Sequence, residues 1–500
     1  MIATIYSAIP YGYEGKLINV EGDINKGLPS FNIVGMANKT VNEAKERVKS
    51  AIINSGFTFP DKKITINLAP ADVVKDGSYL DLPIALAILV ISGQLLLSDV
   101  KDKLFIGELS LSGDIKPING VINAIEAIKN SSVSEIYLPQ DNYAQASLIE
   151  STNIVPIHNL KELFLILKKE QSPILPKNIV KNTKTDMASP LLDHIKGQSI
   201  AKRAMIIAIA GHHNILISGP PGAGKTLLAK AASNLLPDLS PQEQISVTKI
   251  HSIAGLSNDI VSTRPFRSPH HTASPVSIIG GGPHIVPGEI SLAHLGVLFL
   301  DEMPEYPRNV LEALRQPLED KHISISRANQ KTTYPSDFML IATMNPCPCG
   351  FLGDPYHECT CTPQQISSYT KKISGPLLDR IDLYIEVQKV DNKDLLQQKN
   401  TSNNEHNVAK NKIFSAIQKQ RERYGKNDFY NSSLSSQQIS TLLHLHPQAE
   451  QLLQQASEKL NLSARAYFKT IKVAQTIADL DNSDIINSTH ITEALSYRKR

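Results

Sequence analysis

The sequence predicts an α/β fold built on a parallel sheet. Three observations predict it. The stretch GPPGAGKT, residues 219–226, follows the apolar run Ile215-Leu216-Ile217 and precedes a helical pattern at residues 227–232. A second apolar run, Val297-Leu298-Phe299-Leu300, ends in Asp301-Glu302. A third, residues 338–343, leads to Asn345. Short apolar runs alternating with helical segments read as strands covered on both faces.

The 500 residues are too many for one core, so about three domains are expected. Hydrophobic content of 41% is ordinary for a globular chain. A net charge of +3 excludes a global polyelectrolyte, so any nucleic-acid contact must come from local patches. Trp is absent, which excludes a tryptophan stacking platform. The first ten residues lack the pattern of a signal peptide. The longest apolar stretch, 82–97, is interrupted by Pro83, Ser92, Gly93 and Gln94 and is too short to span a bilayer. A cytoplasmic location without membrane contact is expected.

Residues 1–170 alternate short strands and helices. Strands are predicted at 2–9, 16–20 and 64–68. Val41, Ala44, Val48, Ala51 and Ile52 fall at helical spacing, and 82–91 reads as a buried helix. Residues 104–109 and 114–117 flank Ser112-Gly113, a hairpin signal, and a helix follows at 121–129. Residues 171–190, with Pro173, Pro176 and Pro190, read as a linker. The nucleotide core runs from 191 to 390. A polar stretch, 391–411, reads as a second linker. Residues 412–500 carry helical stripes, including Leu452, Leu453, Ala456 and Leu460, then Tyr467, Ile471, Ala474, Ile477 and Ala478.

The chemistry follows from residue types at these positions. Gly219, Pro220, Pro221, Gly222, Ala223 and Gly224 form a loop whose N–H groups can face one anion, and the following helix adds its dipole. Lys225 is placed to reach the β- and γ-phosphates of ATP, and Thr226 to offer a hydroxyl to Mg²⁺. Asp301 can hold the Mg²⁺ shell and Glu302 can polarise water. Asn345 either orients that water or is a turn residue before Pro346. Cys347, Cys349, Cys359 and Cys361 are the four cysteines of the chain. They form either a structural Zn²⁺ site, with His357 as a spare ligand, or a loop of free thiols.

Taken together, GPPGAGKT, Gly288-Glu289-Ile290-Ser291-Leu292-Ala293-His294, Thr343-Met344-Asn345-Pro346, the segment 374–382 and Leu462-Ser463-Ala464-Arg465 resemble the magnesium-chelatase-like AAA+ ATPases of bacteria. The resemblance implies a P-loop AAA+ core, a helical lid over 412–500 and a homo-hexamer. It marks Arg380 as the arginine finger acting on the adjacent subunit, and Arg465 as a second sensor reaching the γ-phosphate from the lid. By spacing alone Arg380 would pair with Asp379 or Asp382. The family also implies two insertions, 266–284 and a hairpin near 323–334. Arg327 and Lys331 on that hairpin are candidates for contact with single-stranded or branched DNA, against a reading as ordinary surface charges. His270-His271 reads as loop rather than metal site.

The N-terminal region resembles the proteolytic domain of Lon-type enzymes at 75–81 and 113–120. The expected serine position holds Tyr79, with Ser78 one place early, and the expected lysine position holds Ile122. Isoleucine takes no proton, so no peptidase activity is expected. The resemblance thus implies an ATP-driven ring motor on DNA, a branch-migration helicase in uptake and recombination of transforming DNA. The alternatives are the ATPase subunit of a magnesium-chelatase-like complex, expected to lack this N-terminal region, and a protein-remodelling ATPase.

Overall fold

The computed structural model describes residues 2–35, 39–75, 78–129, 131–150, 153–176, 191–282, 285–327, 330–354, 357–389 and 404–499, without the side chains of 39–42, 327 and 330. Parts of both expected linkers, 177–190 and 391–403, therefore lie outside the described residues, as does residue 390. Two compact units are present. The first comprises Met1–Thr183, Leu239–Ser262 and Ser326–Tyr334; the second comprises Lys184–Asp238, Thr263–Ile325 and Pro335–Arg500.

The first unit carries strands β1 (Ile2–Tyr11), β2 (Glu14–Asn25), β3 (Ser30–Val34), β4 (Lys63–Ala69), β5 (Lys103–Phe105), β6 (Glu108–Leu109), β7 (Ile115–Lys116), β8 (Glu135–Pro139) and β9 (Asn153–Ile157). Seven of them form one sheet, in the order β3-β4-β2-β1-β5-β8-β9. β1 and β2 are an antiparallel hairpin, while β5, β8 and β9 run parallel. Period-two alternation sends Ala3, Ile5 and Ile9 to one apolar cluster and Tyr6 and Ala8 to the other. Helix Asp81–Ile91, buried along its whole length, packs on β1 and β2. Its uninterrupted apolar sequence is what a helix covered on all sides requires.

The expected strand 104–109 is split. β5 joins the large sheet, then the chain leaves it at Gly107, where a Cβ would stand 2.8 Å from Ile115 Cγ2. Residues 108–109 then pair with 115–116 as a separate antiparallel hairpin. The expected helix 121–129 is shorter, Val121–Glu126.

The second unit is built around β10 (Ile215–Ser218), β11 (Phe266–Arg267), β12 (Gly280–Gly281), β13 (Val286–Pro287), β14 (Val297–Leu300), β15 (His322–Arg327), β16 (Gln330–Pro335), β17 (Met339–Met344) and β18 (Leu383–Glu386). Five make one all-parallel sheet, β11-β14-β17-β10-β18. β10, β14 and β17 are buried at every residue, as the continuous apolar runs demand. Helices Glu405–Tyr424, Pro447–Lys459, Ala464–Leu480 and Ser488–Ser496 share one apolar cluster with this sheet. The first of them begins inside the stretch 391–411 that composition marks as a linker. Its buried stripe is sparse: Ala409, Ile413, Ala416 and Ile417 among polar neighbours. β15 and β16 form the expected hairpin, with part of it, Ser326–Tyr334, in the first unit. No helix among the described residues is long and apolar enough to cross a membrane.

Candidate functional site

In a parallel sheet the C-terminal ends of the strands lie on one edge, and connecting loops there are free to bind. β10 ends at Ser218, and residues 219–224 turn the chain into helix Lys225–Ser233. Gly222 and Gly224 both have φ of +79°, a left-handed conformation that glycine adopts without strain. The space where their Cβ atoms would stand is open. Gly224 is the N-cap and offers no side-chain acceptor, so the first N–H groups of the helix are left for a ligand.

Lys225 is buried. Its ammonium donates to the carbonyls of Gly219 and, at 3.2 Å, Pro220, and to Asn345 Oδ1 at 2.9 Å. Burial lowers its pKa, and the charges of Asp301 and Glu302 oppose that shift. Asn345 therefore touches the phosphate-loop lysine. Thr226 Oγ1 donates to Asp301 Oδ2 at 3.1 Å. A hydroxyl and a carboxylate side by side, both hard oxygen donors, suit Mg²⁺, which keeps several of its waters.

One residue of this site was given no role by the sequence, although it opens Thr343-Met344-Asn345-Pro346. Thr343, at the end of β17, donates from Oγ1 to Asp301 Oδ1 at 2.5 Å and accepts the Glu302 N–H at 3.0 Å. Sheet register aligns Leu300 with Ala342, which sets Thr343 beside the acidic pair. Glu302 itself has φ of +52°, an unusual conformation for a non-glycine residue and one found at functional turns.

The two arginines stand elsewhere. Asn214, just before β10, donates from Nδ2 to the Arg380 carbonyl at 2.9 Å and from its N–H to Asp382 at 3.1 Å. The Arg380 backbone is thus at the N-terminal edge of the sheet, with the length of β10, about 13 Å at 3.3 Å per residue, between that edge and the loop. Its expected partners by spacing are not its partners. It pairs with Glu319, which also lies 3.9 Å from Arg465. Both arginines line a cavity of about 350 Å³ with Lys469 and Lys472. Burial and the charge of Arg465 lower the Arg380 pKa, and its buried Nε has no hydrogen-bond partner among the described residues. Arg465 thus shares Glu319 and this cavity with Arg380.

Lys331 is exposed on β16, and the side chain of Arg327 lies outside the described residues. The His270 and His271 ring centroids lie 4.2 Å apart with the rings tilted by 32°, and His270 Nδ1 lies 2.7 Å from Thr272 Oγ1. In the first unit, Tyr79 and Ile122 meet in one apolar cluster. Lys75 is fully buried on the Pro70 carbonyl, and Ser78 donates to Glu108. The four cysteine sulfurs lie within 4.8 Å of one another, an arrangement compatible with a zinc ion. The Phe351 N–H above all holds the Cys349 thiol down to about 6, and the neighbouring sulfurs assist.

Comparison with known proteins agrees with this geometry. Residues 191–395 match the family described as magnesium chelatase, subunit ChlI, and residues 403–498 match its C-terminal family. Residues 20–142 match the family described as subunit ChlI of Mg-chelatase. Competence protein ComM of Haemophilus influenzae is 41% identical over 99% of this chain and 97% of its own length. YifB of Escherichia coli is 40% identical over the same shares. The magnesium-chelatase 67 kDa subunit of Chlorobaculum parvum is 25% identical over 30% of this chain and 23% of its own length. With its near full-length likeness to the first two, the chain belongs to the magnesium-chelatase-like family that includes ComM and YifB.

Proposed function

We propose that this chain is a cytoplasmic AAA+ ATPase that works as a homo-hexameric ring and moves single-stranded or branched DNA. The observation that carries the ATPase reading is the meeting of Lys225, Thr226, Asp301 and Asn345 beside an open glycine loop. The loop N–H groups bind the phosphates, and Lys225 exchanges its carbonyl acceptors for the more strongly accepting β- and γ-oxygens. Thr226 and Asp301 would hold Mg²⁺, which would supply neutralising charge to those oxygens. Glu302 takes a proton from the attacking water as its oxygen bonds to the γ-phosphorus and the bond to the β–γ bridging oxygen breaks to release ADP, and Asn345 fixes that water's orientation.

Phosphoryl transfer spreads charge over oxygens, which a planar guanidinium stabilises. In this reading Arg380, and with it Arg465, acts on the nucleotide of a neighbouring subunit. The C-terminal helices serve as the lid. The N-terminal unit keeps a Lon-like fold without its chemistry: Tyr79 and Ile122, which share one apolar cluster, supply neither nucleophile nor base. DNA handling is supported by the exposed Lys331 on its hairpin and by the likeness to a protein named for competence.

A magnesium-chelatase-like role is the second reading, favoured by the three family matches, all described after a chelatase subunit. The test is ATP turnover with and without single-stranded and branched DNA, at stated salt. Strong stimulation by DNA is expected; stimulation by a protein partner alone would favour the second reading. Glu302→Gln should still bind nucleotide, with turnover lower by about 10²- to 10⁴-fold. Turnover at the wild-type rate would remove Glu302 from its role.

A further inference from the structure

We propose that Cys347, Cys349, Cys359 and Cys361 bind one zinc ion, and that this metal clamp braces the phosphate loop. The distances suit a single ion. Cys347 Sγ lies 3.3 Å from Cys349 Sγ and 3.7 Å from Cys359 Sγ, and Cys349 to Cys359 is 3.7 Å. Four sulfurs about 2.3 Å from a tetrahedral zinc stand about 3.8 Å apart. An iron–sulfur cluster places several irons between its thiolates and needs them further apart. All four thiols are free, so no disulfide competes for them.

Backbone N–H groups complete the site. Leu352 N–H donates to Cys347 Sγ at 3.3 Å, and Cys349 N–H donates to Cys361 Sγ at 3.4 Å. Such bonds fix the orientation of metal-bound thiolates and offset their charge.

The clamp touches the nucleotide site at two points. Cys347 is two residues from Asn345, which accepts from the Lys225 ammonium. Gly350, between the first two and last two cysteines, has φ of +86°, and a Cβ there would stand 2.8 Å from Pro221 Cδ. Bare backbone therefore rests against the phosphate loop. Residues 347–361 carry no helix or strand among those described. A loop of this kind gains its fixed shape from a cross-link, because the metal removes the freedom the chain would otherwise keep. The metal thereby holds both Asn345 and Pro221 in place. Only the consequence for ATP turnover rests on the ATPase reading; the site and the brace do not.

The test uses the full-length protein purified under reducing conditions. Metal analysis should give about one zinc per chain, and a cobalt-loaded sample should show the absorption of a tetrahedral cobalt thiolate. Cys359→Ser/Cys361→Ser should lose most of the zinc. Wild-type protein without zinc, lacking cobalt–thiolate absorption, would overturn the site. Hydrogen exchange then tests the brace. Removing the metal should speed exchange at least several-fold at residues 219–224 and 345–352, and adding zinc should restore it. Unchanged exchange at 219–224 would overturn the brace even with zinc present. ATP turnover, measured on the same samples, should fall and recover with the metal. If the metal-loaded protein hydrolyses no ATP at all, the ATPase reading fails while metal content and exchange still decide this proposal.

Discussion

At the scale of single residues, the site depends on a hydroxyl whose role the motif around it does not announce. Thr343 Oγ1 has one proton to give and lone pairs to receive, and it uses both: one on Asp301, one on the Glu302 N–H. Removing it leaves a carboxylate oxygen and an N–H short of a partner at the residues proposed to hold Mg²⁺ and activate water. Thr343→Val, close in shape, should therefore lower turnover by about 10- to 100-fold, as expected for a lost positioning bond worth about 1–3 kcal/mol. Nucleotide affinity should change little, because the loop N–H groups and Lys225 remain. Thr343→Ser keeps the hydroxyl and should recover most of the rate. If valine and serine behaved alike in steady-state kinetics, the hydroxyl would have no positioning role.

At the scale of elements, legibility followed the physics of burial. The strands at 215–218, 297–300 and 339–344 were plain in the sequence because strands covered on both faces must be apolar throughout. β8 and β9 were missed: each is five residues long and contains a proline, too short a run for periodicity to register. Thr343 was missed because its role arises from register between strands. It stands 41 residues from Glu302 in sequence, a separation no local pattern encodes. The buried helix Asp81–Ile91 was legible, yet the charge at its start was not. Asp81 is 1% exposed and accepts from Arg47 Nε at 3.0 Å and from Leu109 N–H at 3.3 Å. Burial raises its pKa to about 6 even so; Arg47, itself shifted upward by the pair, does not outweigh the lost hydration. The folded pKa lies above the ordinary value of about 3.9, so the folded state holds the proton more tightly. This group's contribution is full below about pH 4 and is lost as pH rises through about 6, a change of about 3 kcal/mol. Asp81→Asn cannot titrate. The stability of that variant relative to wild type should rise by up to about 3 kcal/mol between pH 4 and pH 7 in chemical unfolding. A difference that stays flat with pH would show that Asp81 titrates normally.

At the scale of the whole molecule, the geometry of the second unit sets a requirement that one chain does not meet. The phosphate loop stands at the C-terminal ends of the parallel strands, and Arg380 at their N-terminal ends. The length of β10, about 13 Å, is beyond the reach of a guanidinium anchored at the far end and paired with Glu319. If Arg380 stabilises the transition state, it does so for another copy. Arg380→Ala should then cost about 10³- to 10⁵-fold in turnover, the range for an arginine finger. Glu302→Gln should be nearly as slow, but for a defect in the other half of the composite site. Mixing the two variants separates these halves. A subunit carrying Arg380→Ala still offers an intact phosphate loop and Glu302, and a subunit carrying Glu302→Gln still offers Arg380. In randomly mixed rings at equal ratio, about one quarter of the interfaces would join an intact loop to an intact arginine in a closed head-to-tail arrangement. Turnover should rise well above that of either variant alone, with its maximum near the equal mixture. Mixed oligomers that stay as slow as their parents at every ratio would place Arg380 outside the reaction and return it to a structural pair with Glu319.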